Sequence, residues 1–303
     1  MRHFLSLADW PADALHKLLE AARVLKREQL AQGNRPVLRG KTLALVFQKP
    51  SLRTRLSFEM GMRQLGGGAL YIGPEEIGLG RREAVGDVAR VLGRYVDGIM
   101  VRMSDHALLV EMAQASPVPV INGMTNYSHP CQAMADMLTI VEEFGHLAGR
   151  RVTYLGDSDN DVTRSLLFAA AQFGFQLRVS SPPGYMLDKE SITAARALGG
   201  EQVCEFIVDP REAAREADVL YTDTWIGLEV KEEAQARQIF GRYQINEALV
   251  AQAPAHAIVL HCLPANRGQE ITDAVMDGPR SRVFQQAANR LHAQKPILVK
   301  LLG

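Results

Sequence analysis

Apolar residues recur along the chain in two alternating rhythms. Leu15, Leu18, Leu19, Ala22 and Leu25 keep helical spacing, and Pro11 suits a first helical turn. Leu43 to Phe47 is an unbroken apolar run, the pattern of a strand covered on both faces. A helix is expected over about 54–65, stopped by Gly66-Gly67-Gly68, then a strand over 69–72. The same alternation predicts a helix over 85–95, a strand over 98–101, a helix over 107–115 and a strand over 118–121. A long helix is expected over 130–144, followed by Gly145 and Gly149, where a second cycle starts. That cycle holds strands at 152–155, 177–180, 219–222 and 258–261 and a helix at 162–173. The order predicts an α/β protein of two doubly wound domains, each a parallel sheet flanked by helices. The boundary is expected near 145–150. The segment 284–302 is helical in pattern and is expected to pack back on the first domain. The domains are thus 1–145 plus about 284–303, and 146–283.

Composition narrows the class. The chain has 303 residues, and a soft prior of about 150 residues per domain also suggests two. Hydrophobic residues make up 47% and charged residues 22%, enough to bury a sizeable core. The 34 Lys and Arg balance 34 Asp and Glu. Zero net charge argues against bulk binding to nucleic acid or to a membrane surface, though not against a local basic pocket. Cys131, Cys204 and Cys262 show no CxxC spacing, so they read as reduced thiols in the cytoplasm and not as disulfides or a zinc site. No apolar run reaches the roughly 20 residues that cross a bilayer. Asp9 and Pro11 follow the first residues too closely for a secretory signal.

Ligands of such sheets bind where loops leave the carboxyl ends of strands, so the strand exits carry the chemistry. The first exit reads Gln48-Lys49-Pro50-Ser51-Leu52-Arg53-Thr54-Arg55. Two hydroxyls and two guanidiniums at a helix start suit an anion with several oxygens. A solvated helix start is the plainer reading, but two Arg there oppose the helix dipole unless an anion is present. The segment lacks the GxxxxGK[ST] loop of nucleotide sites. Arg102 ends the strand near 98–101. His129 and Gln132 lie three apart at the next helix start and share a face. Read alone, Arg102 suits a surface ion pair, His129 a structural histidine, Cys262 a buried filler and Arg290 a solvated helix.

Ser51-Leu52-Arg53-Thr54-Arg55 resembles the Ser-Thr-Arg-Thr-Arg phosphate motif of the aspartate and ornithine carbamoyltransferase family, with Leu52 in place of Thr. Asn122-Gly123 through His129-Pro130-Cys131-Gln132 resembles the family's carbamoyl-binding segment, and His261-Cys262-Leu263-Pro264 resembles its ornithine branch. The resemblance spans about 38–302. It implies that Ser51, Leu52, Arg53, Thr54 and Arg55 hold phosphate, and that Arg102, His129 and Gln132 hold the carbamoyl group. Arg290 then reaches carbamoyl phosphate, and Cys262 and the Leu263 carbonyl lie between the two substrates. The catalytic set implied is Arg102, His129, Gln132, Cys262 and Arg290. No cofactor, metal or covalent intermediate is required.

The acceptor side departs more from the family. Gly156-Asp157-Ser158-Asp159-Asn160 is similar to a Gly-Asp-Gly-Asn-Asn turn whose last Asn contacts the amino-acid carboxylate, which places Asn160 there. It lacks GxGxxG, so a nicotinamide cofactor has weak support. Asp223-Thr224-Trp225-Ile226-Gly227-Leu228-Glu229 stands where the ornithine branch has Asp-x-Trp-x-Ser-Met-Gly. Asp223 matches and suits an α-ammonium. Gly227 and Leu228 replace Ser and Met, and Asn126 replaces an Asp. The implied ornithine-binding set is Asn160, Asp223, Gly227, Leu228 and Cys262. The expected reaction carries the carbamoyl group from carbamoyl phosphate to the δ-amine of L-ornithine. Putrescine is the alternative acceptor, because putrescine carbamoyltransferases also carry a Gly-Leu loop there. A silent carbamoyl phosphate-binding module is a further alternative. The resemblance also implies a homotrimer in which the loop 73–83 reaches a neighbouring subunit, although Gly78 stands where a polar contact residue is usual.

Overall fold

A computed structural model describes residues 2–79, 82–225 and 233–303. The chain divides into two compact units, one of Met1–Leu138 with Ala288–Gly303 and one of Thr139–Ala287.

The first unit is built on β1 (Thr42–Phe47), β2 (Gly68–Ile72), β3 (Gly98–Arg102) and β4 (Val120–Met124). All pairs are parallel, in the order β2-β1-β3-β4. β1 is central and buried from Leu43 onward, which explains its unbroken apolar run. On one face Ala44, Val46, Ile99, Val101 and Val120 pack with Val85, Val88 and Ala89 of the helix Val85–Leu92 and with Leu109, Met112 and Ala113 of the helix His106–Ala115. Residues 288–303, most of the helix Val283–Leu302, return to this unit. A Cβ on Gly98 would stand 2.6 Å from Leu302 Cδ2, so the close seat of that helix requires glycine at the strand start. Phe4 adds a parallel bridge to Ile121 at the β4 edge.

Two elements differ from the sequence expectation by three residues at one end. The helix expected to reach 95 ends at Leu92, with Gly93 as its cap. The strand expected over 118–121 runs from Val120 to Met124. Pro117 and Pro119 have no N–H to give a ladder, so pairing begins after them and the polar Asn122 is carried inside the strand.

The second unit holds β5 (Arg151–Leu155), β6 (Gln176–Ser180), β7 (Cys204–Phe206), β8 (Val219–Thr222) and β9 (Ile258–His261). They form one parallel sheet in the order β7-β6-β5-β8-β9. Leu155, Leu220 and Val259 pack with Ile245, Leu249, Ile271, Val275 and Val283. β7 and the helices Lys189–Gly199, Pro210–Ala214 and Glu233–Phe240 were not foreseen from the pattern. β7 has three residues, too few to show a period.

Each sheet reverses its winding once. In the first unit the chain steps outward from β1 to β2, then crosses to β3 on the other side. In the second it steps outward from β5 through β6 to β7, then crosses to β8. The crevices between β1 and β3 and between β5 and β8 are therefore the places where such sheets take ligands. Among the described residues, no helix is long and apolar enough to cross a membrane.

Candidate active site

The first crevice lies where β1 and β3 end. Gln48, just after β1, bridges the two exits. Its N–H donates to the Arg102 carbonyl at 2.8 Å, and its Oε1 accepts from the Ser104 N–H at 2.8 Å. The helix Leu52–Gln64 starts four residues later, with Ser51 at its N-cap. Ser51 gives that helix no side-chain cap; its hydroxyl donates to Thr54 Oγ1 at 3.2 Å. The first-turn amides are thus left to an incoming anion. Thr54 is buried, Arg53 half-buried and Leu52 70% exposed, so any contact from Leu52 to an anion is through its backbone. Arg55 is placed differently. Its guanidinium lies 4.2 Å from the Tyr71 ring centroid and pairs with Glu59 at 3.4 Å.

Arg290 completes the crevice from the far end of the chain. It is buried, and its NH1 donates to Gln132 Oε1 at 2.8 Å, its NH2 to Thr54 Oγ1 at 3.3 Å, and its Nε to Gln294 Oε1 at 3.2 Å. Gln132 in turn donates from Nε2 to the buried Asp136 at 2.8 Å. One guanidinium therefore ties the phosphate-type helix start to the helix Pro130–Phe144. His129, one residue before that helix, is buried. Burial first, then the positive charges of Arg290, Arg102 and Arg53, hold its imidazole well below the ordinary value near 6.5. Arg53, Arg102, His129, Gln132 and Arg290 thus converge, with a neutral imidazole among three cations.

That arrangement has a thermodynamic consequence. A histidine kept neutral in the fold takes up its proton more readily when unfolded. Its contribution to stability is complete above about pH 6.5 and is lost as pH falls through the lowered folded value. The urea midpoint is expected to fall between pH 7.5 and pH 5, and His129→Gln is expected to flatten part of that fall. An equal slope in both proteins would contradict the neutral assignment.

The second crevice lies where β5 and β8 end. Gly156 follows β5 at φ +119°, and a Cβ there would stand 2.8 Å from Trp225 Nε1. Only glycine suits both the backbone and the indole. Asn160 caps the helix Asp161–Phe173, its Oδ1 accepting from the Thr163 N–H at 2.8 Å. Its Nδ2 donates to Tyr154 Oη at 2.9 Å and to the Asp157 carbonyl at 2.7 Å. Both hydrogens of the amide expected to contact a substrate carboxylate are therefore engaged inside the unit. The two unusual residues of this turn have local partners. Ser158 donates to the Tyr185 carbonyl at 2.9 Å, and Asp159 pairs with Arg164 at 2.9 Å.

Asp223, after β8, accepts from the Thr224 N–H at 2.7 Å and from the Cys262 thiol at 2.9 Å. Cys262 follows β9. Leu263 has φ +59°, a left-handed conformation unusual for a side chain of its size. Its N–H donates to His261 Nδ1 at 2.9 Å, so the proton of that ring sits on Nε2 and points to the buried Glu270 at 3.1 Å. Sequence reasoning missed Glu270, an acidic residue that no motif singles out. Asp223, His261 and Cys262 bring metal-ligand atoms within 4.8 Å of one another. Both nitrogens of that imidazole and the thiol already have these protein partners. Gly227 and Leu228 lie outside the described residues.

Comparison with known proteins follows the same division. A family model described as aspartate/ornithine carbamoyltransferase, carbamoyl-P binding domain, matches residues 2–142. A second, described as aspartate/ornithine carbamoyltransferase, Asp/Orn binding domain, matches residues 148–301. The chain is 47% identical over 304 residues to an ornithine carbamoyltransferase of Anoxybacillus flavithermus, covering 99% of this chain and 96% of that one. It is 46% identical over 303 residues to one of Methanoculleus marisnigri, covering 100% of this chain and 97% of that one. Among solved structures, the ornithine carbamoyltransferase of Pyrococcus furiosus aligns with TM-score 0.96 and 44% identity over 100% of this chain and 97% of that one. That of Gloeobacter violaceus aligns with TM-score 0.89 and 46% identity over 100% and 99%.

Proposed function

This chain belongs to the aspartate/ornithine carbamoyltransferase family, and we propose that it transfers the carbamoyl group of carbamoyl phosphate to the δ-amine of L-ornithine, giving L-citrulline and phosphate. The observation that carries this reading is the convergence of Arg53, Arg102 and Arg290 around the neutral His129 in the first crevice. The phosphate is held by the Ser51 and Thr54 hydroxyls, Arg53 and the first-turn amides of the helix Leu52–Gln64. The carbonyl oxygen lies toward Arg102 and an N–H of His129. Gln132 Oε1 already accepts from Arg290, and its second lone pair receives the carbamoyl NH2.

The chemistry is an addition followed by an elimination. The lone pair of the uncharged δ-amine forms a bond to the carbamoyl carbon, and the carbonyl π pair moves onto oxygen. Donors aimed at that oxygen stabilise the charge as it develops. The pair then returns, the bond from carbon to the phosphate oxygen breaks, and the phosphate leaves with the amine proton. A cationic imidazole is not needed for this step; a neutral one donates a hydrogen bond without adding a charge beside three arginines.

Asp223 pairs with the α-ammonium of the acceptor, and the Cys262 thiol fixes the direction of that carboxylate. Asn160 holds the α-carboxylate only by releasing one of its two present bonds. L-Ornithine is favoured over putrescine because the full-length relatives at 47% and 46% identity carry the ornithine name. Cys131, Cys204 and Cys262, none of them in a disulfide, suit a reducing cytoplasm. A homotrimer is part of the same reading. Leu52, Leu56 and Met60, at 70%, 48% and 36% exposure, form an apolar stripe at fourfold spacing along one helix, the kind of surface that a subunit contact covers.

The test is a paired assay. Purified protein is incubated with carbamoyl phosphate and either L-ornithine or putrescine, and ureido product and phosphate are both measured. Citrulline and phosphate in equal amounts are expected. More product from putrescine than from ornithine would reassign the acceptor, and no product from either would remove the reading.

A further inference from the structure

We propose that Asn122 is a positioning residue for carbamoyl transfer, which holds the His129 turn in place by tying it to the N-terminal segment 3–5. The proposal rests on the carbamoyl-transfer reading, since the placement of His129 matters to catalysis only through that reaction.

Asn122 is a fully buried polar residue inside β4, and burial of a carboxamide is costly unless it is bonded. Its Nδ2 carries two hydrogens and sends them in two directions. One goes to the Leu5 carbonyl at 2.9 Å and the other to the Ser128 carbonyl at 3.0 Å. Ser128 immediately precedes His129. The Asn122 carbonyl accepts from the thiol of Cys131, two residues after His129, at 3.4 Å. One residue thus grips the chain on both sides of the imidazole. The turn itself closes with the Thr125 N–H on the Ser128 carbonyl at 3.0 Å, so the carbonyl that Asn122 holds is the closing point of the turn.

The other end of this tie is firm. The Asn122 N–H donates to the Phe4 carbonyl at 2.8 Å, and the Phe4 N–H donates to the Val120 carbonyl at 2.9 Å. The Val120 N–H donates to His3 Nδ1 at 3.1 Å. Phe4 and Trp10 are buried and meet edge to face at 5.4 Å, and Trp10 Nε1 donates to the His3 carbonyl at 3.1 Å. The segment is therefore bridged to the edge of β4 and anchored by its own core contacts. Aspartate in place of Asn122 keeps the shape but has no hydrogens to give, and glutamine is one methylene too long for both acceptors.

Asn122→Ala is compared with a variant lacking residues 2–5, which removes the anchoring segment, the Phe4 and Leu5 acceptors included, and leaves the Asn122 side chain in place. The readings are kcat, the KM of each substrate, and the imidazole signals of His129, assigned by comparison with His129→Gln. A misplacement of about 1 Å can cost on the order of 10²-fold in turnover. Asn122→Ala is expected to lower kcat by about that factor and to raise the KM for carbamoyl phosphate. The KM for ornithine is expected to stay within about twofold, a split that general loosening of the fold would not produce. The His129 signals should shift and titrate closer to the ordinary histidine range, and the truncation should act in the same direction. Unchanged His129 signals in both variants overturn the proposal, whatever the activity. If the wild-type protein makes no citrulline, the reaction is misassigned, and the His129 signals still decide the role of Asn122.

Discussion

Arg102→Ala is expected to lower citrulline turnover by about 10²–10³-fold, the loss found when one donor to a developing oxyanion is removed. The fold should survive. Arg102 ends β3 at the edge of the crevice and is half-buried, and its backbone carbonyl is held by the Gln48 N–H at 2.8 Å, a bond that the substitution leaves intact. Its charge also acts on His129, so part of the effect arises from a changed neighbour. The thermal midpoint should move little, while kcat and kcat/KM fall together, as for an interaction made in the transition state. Turnover near that of the wild type in Arg102→Ala would remove the carbonyl-binding role.

Arg290→Met should harm both stability and catalysis. The guanidinium is buried, and its three donors serve Gln132, Thr54 and Gln294. Removing it leaves Gln132 Oε1 without its donor, at about 1–3 kcal/mol before any relaxation, and takes one of two donors from Thr54 Oγ1, which keeps the Ser51 hydroxyl, and from Gln294 Oε1, which keeps the Ser57 hydroxyl. The three losses share one network and will not add. Catalysis suffers because Gln132 loses the bond that orients its carbonyl and the phosphate loses a nearby cation. The KM for carbamoyl phosphate should rise by at least about tenfold, which corresponds to 1.4 kcal/mol. Arg290→Lys should rescue little, because an ammonium cannot address three acceptors spread around a planar fork. Denaturant unfolding and steady-state kinetics on both variants check this. Full rescue by lysine would show that charge alone matters at this position.

Much of this was open to reading in the residues themselves. The apolar run of β1, the helix over Pro130–Phe144 and the order of strands and helices follow from periodicity, because neighbours along the chain decide which face is buried. β7 escaped because Cys204–Phe206 is short and half-exposed, with Glu205 held by Arg178 at 2.9 Å. Its place in the sheet comes from a neighbouring strand and not from its own pattern. The site shows the same divide. Arg53, Arg102 and His129 were all found at strand exits, as the winding of such sheets requires. Arg55, in the same motif as Arg53, turns to Tyr71 and Glu59 instead. Asn160, an expected substrate ligand, serves as a helix cap.

By itself the sequence determined the α/β class, the two cycles of strands and helices, and the residue types at each strand exit, since periodicity and turn chemistry act over a few neighbouring residues. Only the tertiary structure decided which exits meet. Arg290 reaches Gln132 across 158 residues of chain, and Asn122 joins Leu5 to Ser128. Those contacts depend on strand order and on helix seating, such as Leu302 against Gly98. Both are settled by burying surfaces that lie far apart along the chain, and no local pattern records them.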